Sequence, residues 1–222
     1  MRLLDSYDIP EAVAAGPHSP AFGKFLWNWF GDPMALSRGE LDLTFLKDLT
    51  PAELALAREL IRRNLHVRHT NIFQGVEALG DVEAAPILRK ILDQETDLGW
   101  RLTIAGALWK LNRDPVFVEC LEHAKAAKPS MFQYVHLARV LWLDDERAVD
   151  FLIDLLDQPD WGGRSMVLSL LNALELGKRL PMSADKMPHQ PADYRKLRND
   201  PAFRAHMVAA IHSRNAASKN GR

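Results

Sequence analysis

Trp100–Pro115 reads WRLTIAGALWKLNRDP. Arg101 stands second, and the apolar residues Ala105 and Trp109 follow it four and eight places later. Apolar side chains at those offsets share one face of a helix. Asp114-Pro115 then marks a turn. The same sentence occurs three more times, as VRHTNIFQGVEALGD from Val67, FQYVHLARVLWLDDE from Phe132 and GRSMVLSLLNALELG from Gly163. The second residues are Arg68, Arg101, Gln133 and Arg164, spaced 33, 32 and 31. Four places on come Ile72, Ala105, Leu137 and Leu168; eight places on come Val76, Trp109 and Leu141, with Asn172 breaking the last copy.

A second amphipathic stretch follows each of the first three. Its apolar sets are Ala84, Ile87, Leu88, Ile91 and Leu92; then Val116, Phe117, Cys120, Leu121 and Ala124; then Val149, Leu152, Ile153 and Leu156. Asp81, Asp114 and Asp144 stand where N-caps belong, because a short carboxylate accepts from the unpaired first-turn amides. An earlier stretch, Leu49–Leu65, has Thr50 as its cap and Pro51 at the first helical position. Leu56, Leu88, Leu121 and Leu152 mark one place in successive second helices, spaced 32, 33 and 31. A period of about 32 residues holds two helices and two short turns. No single pair buries its apolar stripe alone, but stacked pairs do. The expected fold is all-α, an α-solenoid of stacked antiparallel helix pairs, with no alternating run long enough to require a sheet.

The tetratricopeptide signature and the ankyrin Thr-Pro-Leu-His run are missing. The pattern resembles the short HEAT repeats of the phycobilisome-lyase type. Such repeats open the first helix with arginine, continue with small and apolar residues, and turn at an aspartate into the second helix. Arg68, Arg101 and Arg164 fit the arginine, and Asp81, Asp114 and Asp144 the turn; Gln133 departs. The resemblance covers roughly residues 45–177 and implies a HEAT-like fold rather than a reaction.

The remainder falls outside the repeat. Residues 1–44 include FGKFLWNWFGDP (Phe22–Pro33), an aromatic density that suits a cap over the open end of the first repeat. Its tryptophans, Trp27 and Trp29, are also candidates for contact with a partner. Residues 178–222 begin with a segment rich in proline, Lys178–Pro191, and continue into one more helix over 192–214, with Phe203, Met207, Ala210 and Ile211 inward. The last eight residues are expected to fray. This segment carries ten basic and three acidic residues, a net +7, which leaves −8 on residues 1–177. The whole-chain charge of −1 sets up no field for nucleic acid or membrane. One cysteine excludes an intrachain disulfide. Asp5 and Asp8 stand where a secretory signal needs an apolar core, and no apolar run reaches the ~18 residues of a membrane span, so a cytosolic location is expected.

Motifs for chemistry are sparse. His66 and His69 lack a matching Cys or acid for zinc, and there is no HExxH, GxSxG, GxGxxG or GxxxxGK[ST]. Cys120 falls on an apolar stripe. No metal or cofactor is expected. Residues 144–158 hold six acids against Arg147, and Asp150, Asp154 and Asp157 recur at i, i+4 and i+7, a ridge opposite the apolar side. Glu119 and Glu122 lie on the polar side of the preceding second helix. Such a surface suits a basic protein. Small bacterial HEAT-repeat proteins that look like this one often serve as interaction modules, some as immunity proteins for secreted toxins. The resemblance therefore implies a non-enzymatic binding module, most concretely an immunity protein whose acidic face masks a basic toxin. It also admits an alkylpurine DNA glycosylase-like enzyme, with Trp100, Trp109, Trp142 and Trp161 as base platforms and Asp144 or Asp145 as carboxylate. The acidic wall opposes that alternative by repelling phosphates. A phycobilin lyase is a third possibility that no residue supports.

Overall fold

The computed structural model describes residues 6–31, 43–126, 140–143, 145–157, 167, 168, 171, 174, 196 and 199–220. Every element among them is helical. The chain forms two compact units, Met1–Cys120 and Leu121–Gly221.

The first unit starts with the short helix α1 (Glu11–Ala15) and α2 (Pro20–Leu26), which a π-helical turn, Trp27–Gly31, continues. Ser19 Oγ caps α2 by accepting from the Phe22 amide at 3.1 Å. Phe22, Phe25, Leu26, Trp29 and Phe30 are buried, with ring centroids 5.1–5.8 Å apart for Phe22–Phe25, Phe25–Trp29 and Phe25–Phe30. This aromatic cluster docks on the helix pair α3 (Pro51–Arg63) and α4 (Thr70–Leu79). Trp29 Nε1 donates to the Asn71 carbonyl of α4 at 3.0 Å. The approach is possible because α4 has Gly75 one turn on, where a Cβ would stand 2.6 Å from both Trp29 Nε1 and Ile61 Cδ1.

Thr50 and Glu53 form a reciprocal capping box on α3: the Glu53 amide donates to Thr50 Oγ1 at 3.2 Å and the Thr50 amide to Glu53 Oε2 at 2.9 Å. Hydrogen bonds from Ser19 and Thr50 hold the Glu53 carboxyl down at about 2. Helix α4 ends on Gly80 in the left-handed region (φ 57°). The chain then turns through Val82–Ala84 into α5 (Ala85–Gln94). Helix α6 (Leu98–Asn112) packs on both α5 and α4 and is buried at every position from Leu102 to Trp109. A helix apolar all round is a central one, enclosed rather than laid on a surface.

Three expectations change here. Asp81 accepts no cap hydrogen bond. Its carboxylate is turned inward, 3.5 Å from Arg62 Nε, and burial raises its pKa against the pull of Arg62 and Arg58. Asp114 does cap: its Oδ1 accepts from the Val116 amide at 3.1 Å. Ile87, expected inward, is exposed, because α5 needs only Leu88 and Leu92 to meet α6. The third change is that α6 starts earlier relative to its arginine than α4 does. Asp97 Oδ1 accepts from the Trp100 amide at 2.9 Å and starts the helix before Arg101, whereas Arg68 precedes α4.

The arginines nonetheless converge. Arg101 Nη1 donates to the carbonyls of Leu92 and Glu95, at 3.0 and 2.9 Å, closing the end of α5. Arg68 Nη2 reaches the Glu95 carboxylate at 2.9–3.0 Å. Glu95 is buried, and its Oε1 also accepts from the Thr96 and Asp97 amides at 2.9 Å. Arg58 likewise donates twice to the Leu79 carbonyl at the end of α4. Arg89 of α5 grips Asp114 through two bonds of 2.6 and 3.0 Å. Helix α7 (Val116–Ala126) follows, with Phe117 buried and its ring 5.8 Å from Trp109.

The second unit is described in part. Val140–Leu143, α8 (Glu146–Asp157) and α9 (Pro201–Asn220) belong to it. Val167, Leu171 and Leu174, from the copy that opens at Gly163, are helical and buried. Asp144, Trp142's side chain, most of the copy that opens at Phe132 and the Lys178–Pro191 segment lie outside the described residues. The last helix continues to Asn220 instead of fraying at residue 215.

Glu95→Ala leaves a guanidinium and two amides without their acceptor, so a loss of about 1–3 kcal/mol is expected in urea unfolding, with Glu95→Gln milder. An unchanged midpoint contradicts the role given to Glu95. Gly75→Ala forces a methyl onto the Trp29 indole; overpacking of about 1–3 kcal/mol outweighs the helix-propensity gain of about 0.5–1 kcal/mol. A raised melting temperature contradicts the close approach.

Candidate partner-binding surface

Helix α8 is amphipathic: Ala148, Val149, Phe151, Leu152, Leu155 and Leu156 are buried. Glu146, Arg147, Asp150 and Asp154 are exposed on the other side. The spacing of Asp150 and Asp154 at i, i+4 stacks two carboxylates on one exposed ridge. Asp157 closes the same helix one turn on; its side chain lies outside the described residues. Asp145 stands at the head of the helix. Its Oδ1 accepts from the Arg147 amide at 3.0 Å, and the Arg147 guanidinium folds back on both of its oxygens at 2.5–3.1 Å. Arg147 thus serves the helix start.

The ridge is answered by the C-terminal helix. Asp200 Oδ1 caps α9 by accepting from the Ala202 and Phe203 amides at 2.9 and 3.1 Å. Met207 and Ile211 are buried, Phe203 and Ala210 half-buried, and α9 packs on α8. Arg204 Nη2 lies 2.6 Å from Asp150 Oδ1. Arg204, one of the basic residues after residue 178, thus pairs with the acidic helix. Residue-type spacing alone did not single out Arg204; the opposite net charges of the two segments were the available signal.

The other sequence candidates are distributed. Glu119 is exposed on the part of α7 that belongs to the first unit, and Glu122 on the part that belongs to the second. Trp27 is 46% exposed, its ring against Gly31, where a Cβ would stand 2.6 Å away. Trp29 is 1% exposed and its N–H is used within the core, so it presents no surface to a partner. In the first unit a groove of about 260 Å³ is lined by Leu43, Leu46, Lys47, Leu54, Ala78 and Leu79.

Among the described residues, Cys120, His66 and His69 have structural surroundings. Cys120 is buried, and burial pushes its thiol up. His66 Nδ1 lies 2.8 Å from the Arg63 carbonyl. His69 Nδ1 accepts from the Asn71 amide at 3.4 Å, which requires the neutral ring, and burial lowers its pKa. Among the described residues no three His, Cys, Asp or Glu side chains gather as metal ligands, and no helix is long and apolar enough to cross a membrane.

Comparison with known protein families, with curated proteins and with solved structures finds no match to this chain.

Buried and with its thiol held protonated, Cys120 is expected to react with an aromatic disulfide reagent only as the chain opens, with the rate climbing steeply in urea. Stoichiometric labelling on mixing, in native buffer, contradicts that burial.

Proposed function

We propose that this chain is a non-enzymatic protein-binding module, an α-solenoid of HEAT-like helix pairs whose acidic face receives a basic protein. In its most concrete form it is an immunity protein, of the antitoxin type, that masks a basic bacterial toxin. The observation that carries the reading is the α8 ridge: Asp150 and Asp154 exposed on a helix whose opposite face is fixed by six buried apolar residues. Charges held on a rigid base lose little entropy on binding. A field of one sign speeds capture of a partner of the other. The acidic side chains also disfavour a nucleic-acid substrate, whose phosphates they repel. Glu119, Glu122, Asp157 and the exposed Trp27 extend the set of candidate contacts.

The test is affinity capture from native lysate with the wild-type chain and with Asp150→Lys/Asp154→Lys/Asp157→Lys, each at low and at about 0.5 M salt. The expected result is a stoichiometric basic protein, weakened by salt and lost in the charge-reversed variant while circular dichroism stays helical. Equal capture by both chains contradicts the ridge's role. Co-purifying nucleic acid without a protein would favour the glycosylase-like alternative, and release of bases from alkylated DNA would then decide.

A further inference from the structure

The start of α4 is closed by a group that titrates. His69 is its N-cap residue, with extended backbone (φ −132°, ψ 125°), and His69 Nδ1 accepts from the Asn71 amide at 3.4 Å. Only the neutral ring has a lone pair there. A protonated ring would set one N–H against another, beside the positive end of the helix dipole. The ring is half-buried against the N-terminal segment. Tyr7, itself buried, meets Phe30 edge to face at 5.1 Å between centroids and His69 at 6.5 Å, both with planes 79° apart. The next residue ties this segment to the end of α3. The Asp8 amide donates to Asn64 Oδ1 at 2.6 Å, its carbonyl accepts from Asn64 Nδ2 at 3.1 Å, and its carboxylate takes Arg63 at 3.1 and 3.2 Å. His69 therefore touches both the first turn of α4 and the segment that bridges α3 to it. The charged groups nearby have targets of their own: Arg68 on Glu95, Arg63 on Asp8, and Arg101 of α6 on the Leu92 and Glu95 carbonyls. His66 lies on the Arg63 carbonyl, and burial raises the pKa of Tyr7, which keeps its phenol neutral.

We infer that His69 is a pH-sensitive latch: its protonation withdraws the acceptor at the start of α4 and loosens that turn together with the seat of Tyr7. Burial holds the folded-state pKa of His69 below its ordinary 6.5, so the unfolded chain binds the proton more readily. The stabilisation from this group is then complete above about pH 6.5 and is lost as pH falls through that value towards the folded-state pKa. The apolar face of α4, with Ile72, Phe73, Val76 and Leu79 buried, does not titrate, so the change stays at the helix start. The latch lies wholly in the first unit and does not depend on the acidic face of α8.

The experiment is an NMR titration of the full wild-type chain from about pH 8 to about pH 5, following the His69 imidazole nitrogens, the Tyr7 ring protons and the Asn71 amide. The expected result is a His69 midpoint below 6.5, with Nδ1 unprotonated at the alkaline end. The Tyr7 and Asn71 signals should move at that same midpoint, and the protection of the Asn71 amide, corrected for intrinsic exchange, should fall in acid. Urea unfolding of wild type and of His69→Asn supplies the second readout, because asparagine caps a helix without titrating. Between about pH 7.5 and about pH 5 the wild-type midpoint should drop by more than that of the variant. A His69 midpoint at or above 6.5, unchanged Asn71 protection, or equal acid losses in the two chains overturns the latch. The wild-type titration needs no variant, so it decides even if His69→Asn does not fold.

Discussion

Helices packed closely against one another create a difficulty that single helices on a surface do not have: the ends of some fall against a neighbour, where their last carbonyls need a partner other than water. In the first unit Glu95 and two arginines resolve it. The Glu95 side chain takes Arg68 from ahead of α4 and the two amides that lead into α6, while its main-chain carbonyl takes Arg101 from within α6. One residue thus fixes the end of α5 against the helices on either side. Arg58 on the Leu79 carbonyl and Arg89 on Asp114 repeat the device at two further turns. Apolar burial drives the pairs together, but it is non-directional. These charged bonds add the direction that sets register.

The same chemistry appears in the second unit with the opposite exposure. Glu95 is buried and held by several donors, so its arginines are structural. Asp150 is mostly exposed and pairs with Arg204. The difference lies in the carboxylate: that of Asp150 is mostly exposed, whereas that of Glu95 is buried and also bonded to two amides, so leaving it without donors is costly.

Much of the helical pattern was legible because it depends on local rules. Thr50-Pro51 with Glu53 signalled the start of α3, and the recurring leucines found buried faces at Leu88, Leu121 and Leu152. What stayed hidden depends on neighbours that periodicity does not contain. Arg68 and Arg101 repeat at 33 residues, yet their shared target, Glu95, is 27 and 6 residues away from them and belongs to no repeat position. Asp81 looked like a cap but turns inward, since Gly80 in the left-handed region redirects the chain. Trp29 and Trp27 are equal as letters; the Gly75 notch in α4 admits the indole of Trp29, which also packs on Phe25 and Phe45. At the candidate surface, the acidic residues were visible as an i, i+4, i+7 series, whereas the pairing of Asp150 with Arg204 needed the packing of α9 on α8.

The most direct test of the acidic surface is to locate binding residue by residue. An amide chemical-shift map of the isotope-labelled chain, recorded while an arginine-rich peptide is added at low salt, serves this purpose. The account predicts that perturbations concentrate on Glu146–Asp157 and on the Arg204 turn of α9, and fade as salt is raised. Perturbations centred instead on Trp27 or the Leu43–Leu54–Leu79 groove, or spread evenly over the chain, would contradict it.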